Sequence, residues 1–358
     1  MRKWMLFVLA AALMALAVVP AFAQDEPGTI ADIVIASAGA ETPEFSTLLA
    51  AVQAADPAVV AALSDPEQQL TVFAPTDAAF AALAEALGAE AFAAVLADQP
   101  ALTDILLFHV VGGKVMSSDV LMGLEAQAMS GYGALTVPTL QGQSLDITQT
   151  EDGIQVNGAN LNLEMVDIEA SNGVIHVIDA VILPESRTIA DIATEMAGAE
   201  MNAEFTVLLA AVQAAGLAGT LADAEQELTV FAPTDAAFAA ALEALGLTAE
   251  ELLGNTELLT SVLLYHVVPG TVRSSDLVAA LTAEDMGDMM EMPAWLAAKN
   301  DDGTLSLNTL TSSADTLSFG VNAEGRATID NAVIVIKDVD AANGVIHVID
   351  AVVLPAAE

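Results

Sequence analysis

Apolar residues recur along this chain with a helical period first and a strand period second, and the whole alternation then repeats. Phe45, Leu48, Leu49 and Val52 fall at i, i+3, i+4 and i+7, the spacing of one buried helical face. A helix beginning at Thr29 precedes them, with Thr29 suited to the N-cap and Asp32 an acid in the first turn. Asp56-Pro57 interrupts, Ala58 to Leu63 predicts a short helix, and Ser64-Asp65-Pro66 is turn chemistry. Leu70 to Phe73 predicts a strand. Thr76 or Asp77 can then cap a helix over Ala78 to Leu87, closed by Gly88. Helical stretches follow over Glu90 to Ala97 and Leu102 to Phe108. After His109 the period changes. Short apolar runs at Val115, Leu135 to Val137, Leu145 to Ile147, Ile154 to Val156, Leu161 to Leu163 and Val174 to Leu183 alternate with turn signals such as Asn157-Gly158 and Asn172-Gly173. Helices first and strands mostly second predict an α+β unit rather than alternating α/β.

The unit is used twice. Asn172 to Pro184 reads NGVIHVIDAVILP and Asn343 to Pro355 reads NGVIHVIDAVVLP. Thr71 to Ala81 returns unchanged as Thr229 to Ala239, and LLFHVVGGKVMSSD at Leu106 returns as LLYHVVPGTVRSSD at Leu263. Agreement this close divides the chain into unit one (24–184), a linker (185–187) and unit two (188–358). The offset between copies grows from 157 at Leu106 to 171 at Asn172, so unit two carries fourteen extra residues. The expected place is 282–300, which holds Met286, Met289, Met290, Met292 and Trp295. The run Val174 to Leu183 is apolar almost throughout, which predicts a strand buried on both faces. On a regular strand His176 and Asp179 point to opposite faces and do not pair.

Composition adds a compartment and a surface. Arg2 and Lys3 precede an apolar run from Trp4 to Val19, then Pro20 and Ala21-Phe22-Ala23, the design of a secretory signal peptide cleaved after Ala23. The mature chain is then expected to be secreted or periplasmic, with no transmembrane segment. There is no cysteine, which excludes disulfides and thiolate chemistry. Net charge is −41; without Arg2 and Lys3, six of the eight basic residues remain against 49 acidic ones. Such a surface repels nucleic acid and anionic lipid, and lets divalent cations bridge it to other surfaces.

The polar residues that could carry chemistry sit in the repeated words. His109 and His176 in unit one, and His266 and His347 in unit two, lie in apolar runs and read as structural histidines, because two per unit are too few for a metal site. Asp77 and Asp235 are expected to pair with His109 and His266. No nucleophile elbow, dinucleotide fingerprint or phosphate loop is present, so neither an enzyme nor a cofactor is expected. The methionine segment with Trp295 is a candidate partner patch; its thioethers also suit Cu(I), and methionine equally serves as filler under an apolar flap.

The words TVFAPTDAAF, LLYHVVPG with LLFHVVGG, and NGVIHVIDAV, each present twice and in order, resemble the fasciclin domain. The resemblance implies two tandem α+β domains, each a β-sandwich-like wedge with helices packed at one side. It implies adhesion or matrix interaction outside the cell by non-covalent contacts, with a protein or polysaccharide as partner. Asp167-Ile168 and, in part, Asp338-Val339 match an Asp-Ile adhesion pair of some members. Unit one departs from the pattern at Phe108, where unit two has Tyr265. The alternative is an envelope ligand-binding protein that takes a lipid-like molecule or a metal.

Overall fold

The computed structural model describes residues 27–41, 43–151, 153–199, 204–282, 295–311 and 315–355. The expected leader and Met286, Met289, Met290 and Met292 lie outside them.

Unit one opens with helices Ile30–Ala38, Ser46–Ala54 and Pro57–Ser64, then the strand Leu70–Pro75. Helices Asp77–Leu87, Ala89–Ala97 and Gln99–Phe108 follow, then the short strand Val110–Gly112 and the helix Ser117–Met129. Strands Ala134–Pro138, Ser144–Thr150, Gly153–Val156 and Ala159–Asn160 form one antiparallel sheet. Ile168–Ala170 and Gly173–Ile178 join Leu70–Pro75 and Val110–Gly112 in the other.

The two most repeated words are therefore partners. Leu70–Pro75 runs parallel to Gly173–Ile178, and every residue of both strands is buried. Strand alternation sends Val72, Ala74, Ile175 and Val177 to the helical side, against Ile30, Phe45, Leu48 and Leu102. Phe73 and Ile178 face the other way, against Phe108, Leu145, Ile147 and Val156. One central strand pair thus divides each unit into a helical layer and a sheet layer, the wedge with helices at one side.

Unit two repeats the plan from Ile189–Ala197 to Gly344–Ile349. Its two sheets merge into one of eight strands, because Ala332–Ala341 runs without a break through both layers and bends at register shifts beside Ile336. In unit one the same path is cut into Ala159–Asn160 and Ile168–Ala170.

Three predicted strands need correction. Val115 lies in a loop, because its carbonyl accepts from His176 Nε2 (2.8 Å) rather than from a neighbouring strand. Leu161 to Leu163 is not a strand; Leu161 is buried but Leu163 is 60% exposed. The closing strand stops at Ile178, because Asp179 turns aside to accept from the backbone N–H and Nδ2 of Asn160 (2.7 Å each). Among the described residues no single helix is long and apolar enough to cross a membrane.

Candidate functional site

Each unit is tied together by a small set of buried polar side chains, and most of the singled-out residues belong to it. Asn343 is 1% exposed. Its Oδ1 accepts from Ile189 N (2.9 Å), and its Nδ2 donates to the carbonyls of Leu221 and Asp223 (3.0 Å each). One amide thus satisfies an N–H at the start of the first helix and two carbonyls at the end of the third. Asn172 makes the same three contacts with Ile30, Leu63 and Asp65.

Asp167 and Asp338 occupy the left-handed region, at φ 55° and 57°. That turn aims the Asp338 N–H at His347 Nδ1 (3.1 Å) and its carboxylate at the start of helix Ser274–Thr282. Oδ1 accepts from Ser274 N (2.7 Å) and Oδ2 from Ser274 Oγ. His347 Nε2 then donates to Val272 O (2.8 Å). In unit one Asp167, Ser117, His176 and Val115 repeat the circuit. The adhesion expectation is therefore corrected for Asp338; the Asp167 side chain stays 30% exposed. The Asp338 side chain is 1% exposed and Asp167 is held against Ser117, while Ile168 and Val339 pack on the helical cores. They cap a helix and orient a histidine.

The expected pairing of Asp77 with His109 and of Asp235 with His266 is also overturned. Phe45 and Phe205 precede helices Ser46–Ala54 and Thr206–Ala214 and supply no side-chain cap. Asp77 supplies it instead: Oδ1 accepts from Thr47 N (2.7 Å) and Oδ2 from Ser46 N and Oγ. Asp235 does the same for Val207 and Thr206. Partial desolvation opposes the charge on Asp77, but the bonds from Ser46 and Thr47 hold it below the usual carboxylate range.

His109 and His266 have different partners. Nδ1–H donates to the carbonyl one turn back (Ile105, Val262; 2.7 Å each), and Nε2 accepts from Ile182 N and Val353 N (3.2 Å each). Both rings are neutral, since a second ring proton would face another N–H. Burial pushes each down to about 4, against the pull of the carbonyl.

The sign of the linkage follows. The unfolded chain binds these protons below about 6.5 and the folded chain only below about 4. Stability is therefore complete above pH 6.5, falls between 6.5 and 4, and is level below, at about 3 kcal/mol per histidine. We expect His109→Gln to remove that much of the acid loss in unit one, read as denaturant midpoints from hydrogen exchange of unit-one peptides. Asp146 and Asp340, pushed up by burial, act in the opposite sense in both proteins, so the difference isolates the histidine. An equal pH slope in the two proteins contradicts the assignment.

The remaining residues divide between core and seam. Trp295 is 9% exposed and belongs to the sheet-side core with Tyr265 and Phe319, so its place in an exposed partner patch is corrected. Met286, Met289, Met290 and Met292 lie outside the described residues. The Tyr265 hydroxyl lies 3.0 Å from both Thr316 O and Asp330 Oδ2. Unit one has Phe108 there, buried and with no hydroxyl to satisfy.

The seam between the units was not anticipated. Arg273 donates through Nε to Gly142 O of unit one (2.9 Å) and through Nη1 to Asp340. Asp340 Oδ2 accepts from Ser144 N of unit one (2.7 Å). Gln143 donates to Glu185 O (2.8 Å) and accepts from Glu185 N (2.7 Å), which fixes the linker. Tyr132 of unit one donates to Ile334 O and accepts from Ala327 N (3.2 Å each), under Lys337 at 4.9 Å. Arg273, Gln143 and Ser144 are all buried. One sequence signal was available: within the repeated word, Arg273 replaces Met116.

Among the described residues, no group of three or more His, Cys, Asp or Glu could hold a metal ion. The fasciclin domain family profile matches residues 43–184 and 203–355. The chain is similar to Protein sll1483 of Synechocystis sp., at 43% identity over 168 residues, 47% of this chain and 80% of that protein. It is similar to the transforming growth factor-beta-induced protein ig-h3 of Sus scrofa, at 29% identity over 288 residues, 80% of this chain but only 34% of that protein's length. A solved FAS1 domain pair from the insect cell adhesion molecule Fasciclin I aligns with 89% of this chain and 98% of its own, at 19% identity and a TM-score of 0.37.

Proposed function

Since the chain belongs to the fasciclin domain family, we propose that it is a secreted or surface-associated adhesion protein that joins surfaces by non-covalent contacts through its two units. The observation that carries this is the seam. The linker is bound on both sides, with Gln143 holding Glu185 and the Arg187 carbonyl accepting from Ala342 N (2.7 Å). Two units held at a fixed angle present two faces at a fixed separation, which raises the effective concentration of the second contact once the first forms. The aspartates, asparagines and histidines of the repeated words support the same conclusion, because they are hydrogen-bonded within their own unit. The partner is a protein or polysaccharide of the cell surface or matrix. The acidic surface makes divalent cations the natural bridge.

Beads coated with the mature chain test this directly. Clustering is expected in calcium, reversed by chelation and by excess soluble chain. Beads that stay dispersed with and without calcium, and that bind no envelope polysaccharide or protein, contradict it.

A further inference from the structure

Asn-Gly occurs three times in the chain, at Asn157, Asn172 and Asn343. Asparagine is thermolabile, and a following glycine makes it most so, because no side chain shields the next backbone nitrogen. In weak alkali that nitrogen loses its proton to hydroxide and attacks the asparagine Cγ. A five-membered imide forms, the Cγ–Nδ2 bond breaks and ammonia leaves. Water then opens the ring at either carbonyl, giving aspartate or its backbone isomer, isoaspartate. Nothing is oxidised or reduced, and water is the only reagent consumed.

The fold treats the three sites differently. Asn157-Gly158 is the exposed turn between strands Gly153–Val156 and Ala159–Asn160. Its Oδ1 accepts from Asp146 N (2.6 Å). Asn172 and Asn343 are 0% and 1% exposed, and three hydrogen bonds fix each carboxamide at both ends. The glycine beyond each is clamped as well: Gly173 pairs with Leu70 and Ala170, and Gly344 with Leu228 and Ala341. In the closed unit the attacking nitrogen is therefore held off Cγ, and burial keeps solvent out. Both residues are demanded by the fold. Asparagine supplies an acceptor and two donors on one short side chain. A Cβ on either glycine would collide with the facing carbonyl, of Leu70 or Leu228.

We propose that Asn172 and Asn343 are modification sites, shut by folding and opened by unfolding, where loss of ammonia makes the opening of a unit permanent. This is independent of what the units bind. Aspartate at 343 keeps the acceptor for Ile189 N but turns oxygen, in place of two N–H groups, toward the Leu221 and Asp223 carbonyls. Isoaspartate adds a backbone carbon just before the six buried residues Gly344–Ile349 and disturbs their register with Leu228–Pro233. Either product removes the clasp that gathers the unit. Chemical change of the opened chain then competes with refolding, so the survival of a unit depends on how rarely it opens.

The test holds the chain at pH 8, folded in buffer or denatured in guanidinium chloride, and follows the three Asn-Gly peptides over time by mass spectrometry. Asn172 and Asn343 should react at least about a hundredfold more slowly in the folded chain than in denaturant, because only opened molecules are attacked. Partly reacted chains are then diluted out of denaturant, and units that fail to refold are removed by a brief protease digestion. Surviving units should carry acid at 157 but be depleted of acid at 172 and 343. Equal rates at Asn343 in the folded and denatured chains overturn the proposal. So do surviving units that carry acid at 172 or 343 as often as at 157. The rate comparison decides alone where refolding is incomplete.

Discussion

Gly344→Ala should leave unit two unable to close its central sheet. Gly344 sits at φ +141°, where a side chain is strained by roughly 1–3 kcal/mol. Strain is the smaller part. Gly344 is paired with Leu228 in the parallel ladder, and an added Cβ would lie inside the Leu228 carbonyl. The two strands must separate at the point where both layers of the core meet, and Leu228 N would lose its bond to Asn343 O (3.0 Å). We expect a loss of at least about 4 kcal/mol, a large share of the stability of a unit this size. In a chain beginning at Gln24, which lacks Trp4, Trp295 reports it: its emission should shift to the red while the unit-one helices remain.

Asn343→Ala should cost unit two about 3–5 kcal/mol. The side chain satisfies three backbone groups, and a buried group left without a partner costs about 1–3 kcal/mol. Alanine leaves the Ile189 N–H and the Leu221 and Asp223 carbonyls without their bonds, and space too small for water to replace all three. Asn343→Asp separates size from donors. It keeps the acceptor for Ile189 but places a carboxylate against two carbonyls, so it should be at least as damaging as alanine. A urea midpoint within error of the unmodified chain for either variant contradicts the role given to this amide.

The words of the sequence were legible wherever structure is local. The face of Phe45, Leu48 and Val52 and the caps at Thr29 and Thr76 follow from spacing and side-chain chemistry alone, and all five residues are where the pattern puts them. What escaped was non-local. Asp167 reaches Ser117 across 50 residues, and no periodicity encodes that a left-handed aspartate will cap a distant helix. The helix Ser117–Met129 leaves no helical period in the sequence, because Val120 and Leu124 alone are buried while Met122 and Met129 face solvent. Asn172-Gly173 read as a turn; the amide that gathers three chain segments is invisible without the fold. The seam left one trace, an arginine in place of a methionine, whose partners Gly142 and Asp340 lie 131 and 67 residues away.

The adhesive function proposed above rests on the two units moving as one body, and the Ser144 amide measures that. Its N–H points across the seam to Asp340 Oδ2. In hydrogen exchange at pH 7 we predict that Ser144 is strongly protected in the unmodified chain, and that Asp340→Ala brings it close to the rate of an unstructured amide while the Ile147 and Val156 amides keep theirs. Exchange of Ser144 at the unstructured rate in the unmodified chain would contradict a fixed pair.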